Sequence, residues 1–205
     1  MIRGIAFDWG GIFTQGTFDS DAVEKLADVA GVERQLVHEA YFPLMEEFEV
    51  GAFDLGGFVD RFVARTGSRT DEELIASTFM SSGIERTAMY DILAAIPAGY
   101  TVGMLSNNVP ALCDRVRSDL RMERIEQFVF SNEIGVRKPD SRAYAALQTV
   151  MGLPPQETVF IDDNAQNIQA AREFGFQGIL LDSMEHFASQ WRELLPELPL
   201  PESVS

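Results

Sequence analysis

Five short apolar runs, each ending abruptly in polar residues, constrain this chain more than any other feature. Gly4-Ile5-Ala6-Phe7 stops at Asp8, and Thr101-Val102-Gly103-Met104-Leu105 stops at Ser106-Asn107-Asn108. Phe128-Val129-Phe130 gives way to Ser131-Asn132-Glu133, Thr158-Val159-Phe160-Ile161 to Asp162-Asp163-Asn164, and Gly178-Ile179-Leu180-Leu181 to Asp182. Runs of this length, followed by loop-forming residues, read as buried strands. Between them apolar residues recur at helical spacing: Met89, Ile92, Leu93 and Ile96; Ala143, Tyr144, Leu147 and Val150, closed by Gly152; Ile168, Ala171 and Phe174, closed by Gly175. Strands alternating with helices predict an α/β fold built on a doubly wound parallel sheet with helices on both faces.

From about Gln15 to Gly83 the alternation breaks. This stretch has no convincing strand and carries four helical patterns: Val23/Leu26/Ala27/Ala30, Leu36/Val37/Ala40/Tyr41, Phe58/Val59/Phe62/Val63 and Leu74/Ile75/Phe79. It reads as a small helical cap over 15–83, inserted after the first strand into an α/β core of 1–14 and 84–196. Tyr41, Phe42, Phe48, Phe53, Phe58 and Phe62 are expected to form the cap's own core, since aromatic side chains prefer burial. The proline-rich segment 197–205 is expected to be a flexible tail.

The chain has 205 residues and one cysteine, Cys113, so no internal disulfide can form, as suits a reducing cytoplasmic location. It contains no apolar stretch approaching the roughly 18–20 residues of a membrane helix, and its first residues lack the pattern of a secretory leader. Thirty-two acidic against 16 basic residues give a net charge of −16, which disfavours nucleic acid as a partner. The same charge makes any anionic substrate depend on a locally positive pocket. Lys25 and Lys138 are the only lysines.

In an open parallel sheet, ligands bind beyond the carboxyl ends of the strands. Asp8, Ser106-Asn107 and Asp162-Asp163 all follow a strand directly, and Lys138 comes a short loop after another. An Asp or Ser in such a place is ordinarily a turn former or a helix cap; several on one edge suggest a site. Clustered carboxylates raise one another's pKa unless a cation sits among them, and an all-oxygen donor set points to Mg²⁺ rather than zinc. Ser106 and the neighbouring backbone amides can hold phosphoryl oxygens, Lys138 can neutralise an anion, and a carboxylate can attack phosphorus or carbon.

Phe7-Asp8-Trp9-Gly10-Gly11-Ile12, Leu105-Ser106-Asn107, Lys138-Pro139 and Ile161-Asp162-Asp163 with Asn167 resemble, in order and spacing, the four motifs of the haloacid-dehalogenase superfamily. The match runs from Ile2 to Asp182, and the helical insertion is similar to the cap of the subgroup containing phosphoglycolate-type phosphatases, haloacid dehalogenases and the phosphatase domain of epoxide hydrolases. The resemblance implies Asp8 as nucleophile. It implies Mg²⁺ held by Asp8, the Gly10 carbonyl and Asp163, with Asp162 beside or behind them. Ser106, Asn107 and Lys138 would bind the transferring group of a small phosphorylated metabolite.

One position departs from the pattern. Phosphatases of the family usually carry a second aspartate two residues after the nucleophile, as the leaving-group acid and then the base for water. Here that position is Gly10. Three readings stay open: a phosphatase whose proton comes from water or another residue, carbon-centred dehalogenation, or a non-catalytic phosphoryl-binding protein. Asp8-Trp9-Gly10-Gly11 also looks like the loop of phosphonate hydrolases, which need a Schiff-base lysine in the cap; Lys25 is the one candidate and reads as a surface residue. His38 and His186 read as surface or helix-face residues, Arg137 by default as a surface residue although it could help attract anions, and Cys113 and Trp9 as core. Neither the substrate nor the oligomeric state is legible.

Overall fold

In the computed structural model, which describes residues 1–201, the chain runs β1 (Gly4–Phe7), β2 (Thr14–Gln15), α1 (Phe18–Ala30), α2 (Arg34–Phe48), α3 (Leu55–Thr66), α4 (Glu72–Met80) and β3 (Ile84–Glu85). It continues through α5 (Thr87–Ala95), β4 (Thr101–Ser106), α6 (Pro110–Ser118), β5 (Gln127–Phe130), α7 (Ser131–Ile134), α8 (Ser141–Met151), β6 (Thr158–Asp162), α9 (Ala165–Phe174), β7 (Gln177–Leu180) and α10 (Met184–Leu194). All five expected runs form one parallel sheet in the order β5-β4-β1-β6-β7. The chain leaves the central β1, fills one side of the sheet and then the other, which makes the doubly wound topology anticipated from the alternation.

Strand alternation sorts the side chains onto two faces. Ile5, Phe7, Met104, Val159 and Ile161 join one apolar cluster, while Ala6, Leu105, Val129 and Phe160 join the second, packed under α8 and α9 by Ala143, Tyr144, Leu147, Ile168 and Ala171. Both faces are therefore buried, and that is why the strands read as unbroken apolar runs.

Helices α1 to α4 occupy the insertion. Thr17, Asp54 and Asp71 cap the starts of α1, α3 and α4 through side-chain oxygens. Tyr41, Phe48, Phe58 and Phe62 are buried as expected, with Phe48 stacked between Phe53 and Phe58. Phe42 departs from the expectation: it is exposed and packs against the His38 ring. These helices share their apolar cluster with one face of the sheet.

Two features escaped the sequence pattern. β2 and β3 pair antiparallel where the chain enters and leaves the insertion, Thr14 opposite Glu85 and Gln15 opposite Ile84; two-residue strands carry no periodicity to detect. The expected loose tail is anchored as far as Leu200. Leu198 is buried in the core cluster and its carbonyl accepts from Trp191 Nε1 at 2.7 Å. The remainder of that tail, 202–205, lies outside the described residues. Among the described residues, no helix is long and apolar enough to cross a membrane.

Candidate active site

The carboxyl ends of β1 and β6 bring the acidic residues together. The Asp8 amide extends the sheet pairing by donating to the Ile161 carbonyl at 2.8 Å, so Asp8 stands beside Asp162 and Asp163. Oxygens of these three carboxylates lie within 4.8 Å of one another. Lys138 is 2% exposed and places Nζ 3.0 Å from Asp8 Oδ1 and 2.6 Å from Asp162 Oδ2. One buried cation thus faces three acids.

The acids do not share one environment. Asp162 is wholly buried: Oδ1 accepts from the Asn164 amide at 2.8 Å, Oδ2 from Lys138, and Asn167 Nδ2 reaches both oxygens. It acts as a bracket for Lys138 and the following loop. Asp8 Oδ1 accepts from the Trp9 amide at 2.7 Å as well as facing Lys138. Asp8 and Asp163 line the adjoining cavity of about 390 Å³ with Trp9, Gly10, Asn107 and Lys138.

Burial, opposed by Lys138 but reinforced by Asp162 and Asp163, pushes the Asp8 carboxyl up to about 7. Asp163 is pushed up to about 6 by burial and by Asp162. Burial pulls Lys138 down, yet the charges of Asp162 and Asp8 outweigh it and its pKa stands above the ordinary lysine value. Three carboxylates against one ammonium leave negative charge in excess, and every donor is a hard oxygen. Such a set fits a divalent cation of the Mg²⁺ class.

The loop after β1 explains its glycines. Gly11 has φ 73°, and a Cβ there would stand 2.0 Å from Asp163 Oδ2, so only glycine lets the carboxylate approach. Thr14 Oγ1 accepts from the Gly11 amide, and the Arg86 guanidinium donates to the carbonyls of Gly11 and Ile12. Gly10 differs: it is not in the left-handed region, and nothing lies within 4 Å of where its Cβ would be.

The remaining sequence candidates fall into distinct places. Ser106 ends β4, 1% exposed, and the cavity wall beside it is made by Asn107 and Asn108. The Asn107 side chain grips the backbone of Lys138, accepting from its amide at 2.8 Å and donating to its carbonyl at 3.1 Å. Trp9 is buried against Phe18 and also lines the cavity. Arg137 is part-exposed, lines the cavity and brings a guanidinium nitrogen 3.0 Å from Glu49 Oε2. Lys25 pairs with Asp21 at 2.7 Å and is not part of the cavity wall. His38 is exposed and His186 pairs with Asp182. Cys113 is buried, and burial pushes its thiol up to about 12, which leaves it a neutral core residue.

Two acidic residues of the cavity lining gave no sequence signal. Asp19, in the first turn of α1, accepts from the Tyr41 hydroxyl at 2.7 Å, and Glu49 follows the last turn of α2. Both belong to the insertion, where nothing in the local pattern separates them from the many surface acids.

A family described as haloacid dehalogenase-like hydrolase matches residues 2–175. A phosphatase of Mycobacterium tuberculosis is 29% identical over 182 residues, 85% of this chain and 70% of that protein. An (S)-2-haloacid dehalogenase of Pseudomonas fluorescens is 34% identical over 80 residues, 38% of this chain and 35% of that protein. Bifunctional epoxide hydrolase 2 of Rattus norvegicus is 25% identical over 90% of this chain but only 40% of its own length. The chain therefore spans well under two thirds of the dehalogenase and the epoxide hydrolase. A HAD family enzyme of Bacteroides thetaiotaomicron superposes with a TM-score of 0.78 at 21% identity, covering 94% of this chain and 98% of the other. That enzyme has also been solved in complex with magnesium and inorganic phosphate, with a TM-score of 0.76 at 22% identity over 88% of this chain and 94% of that one. With the fold, the motif order and a family match over most of its length in agreement, the chain belongs to the haloacid dehalogenase-like hydrolases.

Proposed function

We propose that this protein is a Mg²⁺-dependent phosphomonoesterase that acts on a small phosphorylated metabolite through an aspartyl-phosphate at Asp8. The observation that carries the reading is the buried Asp8–Lys138–Asp162 bracket opening, with Asp163, into one cavity. Asp8, Asp163 and the carbonyl of Gly10 are the groups that would hold the ion. Bound there, Mg²⁺ supplies charge neutralisation for the carboxylates and for a phosphoryl group.

The chain's own residues do the rest. Lys138 favours the Asp8 anion against the burial that opposes it and orients it, since Asp162 and the Asn107 grip on its backbone fix where Nζ lies. Lys138 and Arg137 are the cations lining the cavity, where an anionic substrate of a chain of net charge −16 would need them. The Asp8 carboxylate attacks phosphorus and forms an acyl phosphate as the P–O bond to the leaving alcohol breaks. Water then attacks that phosphorus, and phosphate leaves with Asp8 restored. Asn107 and Asn108, with the backbone after Ser106, form the wall that receives the phosphoryl oxygens. The solved HAD enzyme with magnesium and inorganic phosphate, and the mycobacterial phosphatase, support this reading.

The matches to (S)-2-haloacid dehalogenases favour a second reading, displacement of halide from carbon by Asp8. The paired acids Asp162 and Asp163 weigh against it, because a departing halide calls for no divalent cation. One screen separates the two: sugar, polyol and acyl phosphates together with haloacids, each with and without Mg²⁺, alongside Asp8→Asn. Mg²⁺-dependent phosphate release that Asp8→Asn abolishes supports the phosphatase. Halide release without metal supports the dehalogenase, and neither product points to a phosphoryl-binding protein without turnover.

A further inference from the structure

Gly10 leaves the proposed reaction without a leaving-group acid beside Asp8, yet the same cavity is lined by a further carboxyl group. Glu49 is 7% exposed, lines the same cavity as Asp8, and its Oε2 makes no hydrogen bond with acceptable geometry despite lying 3.0 Å from Arg137. It is also held in place. Its backbone carbonyl accepts from the Ser131 hydroxyl, which in turn accepts from the Asn108 amide of the phosphoryl-binding wall at 2.9 Å. Two residues on, Gly51 passes so close to the core that a Cβ would stand 2.8 Å from the Asn132 carbonyl. The insertion is therefore pinned to the core at this point.

Resting on the phosphatase reading, we propose that the Glu49 carboxyl is the proton donor and acceptor that Gly10 does not supply. In the first half-reaction Asp8 forms the bond to phosphorus, the P–O bond to the alcohol breaks, and the Glu49 proton moves to the departing oxygen. In the second, the Glu49 carboxylate takes a proton from the water that attacks the acyl phosphate, and both carboxyl groups return to their starting states. Geometry selects Glu49 over Asp19, the other acid of the inserted helices that lines the cavity, because the Asp19 head already accepts from Tyr41.

The surroundings suit the protonated starting state. Burial raises the Glu49 pKa to about 8, against the lowering pull of Arg137 and Lys138 and with the help of Asp19 and Asp8. An arriving phosphoryl dianion engages the cations and adds negative charge, so it favours the proton further.

The test compares 4-nitrophenyl phosphate, whose leaving group needs no proton, with a simple alkyl phosphate, in Mg²⁺, by rapid-mixing and steady-state assays. In Glu49→Gln the alkyl ester should slow by about 10²- to 10⁴-fold, the usual contribution of a positioned acid–base group. The aryl ester should still give a rapid burst of nitrophenolate before slow turnover, since only the second step then lacks its base. Gly10→Asp placed in the Glu49→Gln background should restore alkyl turnover in part, as the open space at Gly10 admits the side chain. Should Glu49→Gln fold poorly, the native pH profile decides: alkyl cleavage must fall at alkaline pH while the aryl burst persists. Equal losses on both esters, no loss, or identical pH profiles would overturn the role of Glu49 while leaving the phosphatase intact. Failure of the native protein to cleave either ester would overturn both.

Discussion

The side chain of Asn107 holds the backbone of Lys138 at both its polar atoms, 2.8 Å to the amide and 3.1 Å to the carbonyl. The end of β4 thereby sets the position of an ammonium group that itself brackets Asp8 and Asp162. Asn107→Ala should leave Lys138 present but less well placed. Misplacement of about 1 Å costs about 10²-fold in rate, so kcat should fall on that scale while Mg²⁺ affinity, measured by calorimetry, stays near the native value. A variant with native kcat would reduce Asn107 to a loop anchor.

Asp8 and Lys138 should separate function from stability. Asp8→Asn removes a carboxylate whose ionisation burial opposes, so turnover should vanish with no loss of Tm at pH 8. Lys138→Met also ends turnover, but it leaves Asp162 buried without its cation. Breaking a buried pair in this way costs about 3–5 kcal/mol, visible as a lowered denaturation midpoint. Equal stability of the two variants would show that Lys138 does not hold the site together.

In the absence of metal, stability should fall as pH rises from about 5 to 8. Through this window the folded protein holds protons longer on Glu49, raised to about 8 from the ordinary 4.5, and on Asp8, raised to about 7 from 3.8. The unfolded chain has already released them, so it binds fewer protons and each pH unit favours unfolding. The stabilisation is complete below the unfolded values and lost as pH passes the folded ones. Denaturant titrations at fixed pH measure it, and Glu49→Gln should flatten the slope. A curve rising across this window would contradict the burial of these acids.

Mg²⁺ should raise Tm, and more so at pH 8 than at pH 5, because the carboxylates that hold it must be ionised. Asp163→Ala should abolish the shift. Scanning calorimetry at the two pH values checks both statements, and a shift independent of Asp163 would place the ion elsewhere.

Adjacent glycines should respond in opposite ways. Gly10→Asp meets open space and should fold normally, whereas Gly11→Ala drives a methyl group into Asp163 at a φ of 73°. Gly11→Ala should weaken Mg²⁺ binding and lower Tm. Normal metal affinity in that variant would mean that the Asp163 carboxylate can move aside without consequence.

Much of this molecule is written locally. Each strand of the parallel sheet announces itself because both faces of that sheet are buried, so an apolar run must stop where the chain reaches solvent. The residues at those stops, Asp8, Ser106-Asn107 and Asp162-Asp163, are placed by chain order and parallel topology on one edge. The family match extends what those motifs already suggested. Asp162 and Asp163 are neighbours in sequence, and packing decides that one is enclosed by Lys138, Asn164 and Asn167 while the other lines the cavity. Arg137 and Glu49 lie 88 residues apart and meet at 3.0 Å only because the inserted helices dock on the core. An acid in a helical segment carries no mark of the partner it will face, since burial and electrostatic environment arise from contacts between distant segments. The sequence therefore determined the candidate nucleophile Asp8 and its edge of the sheet, and the tertiary structure decided which groups surround it and how they shift its ionisation.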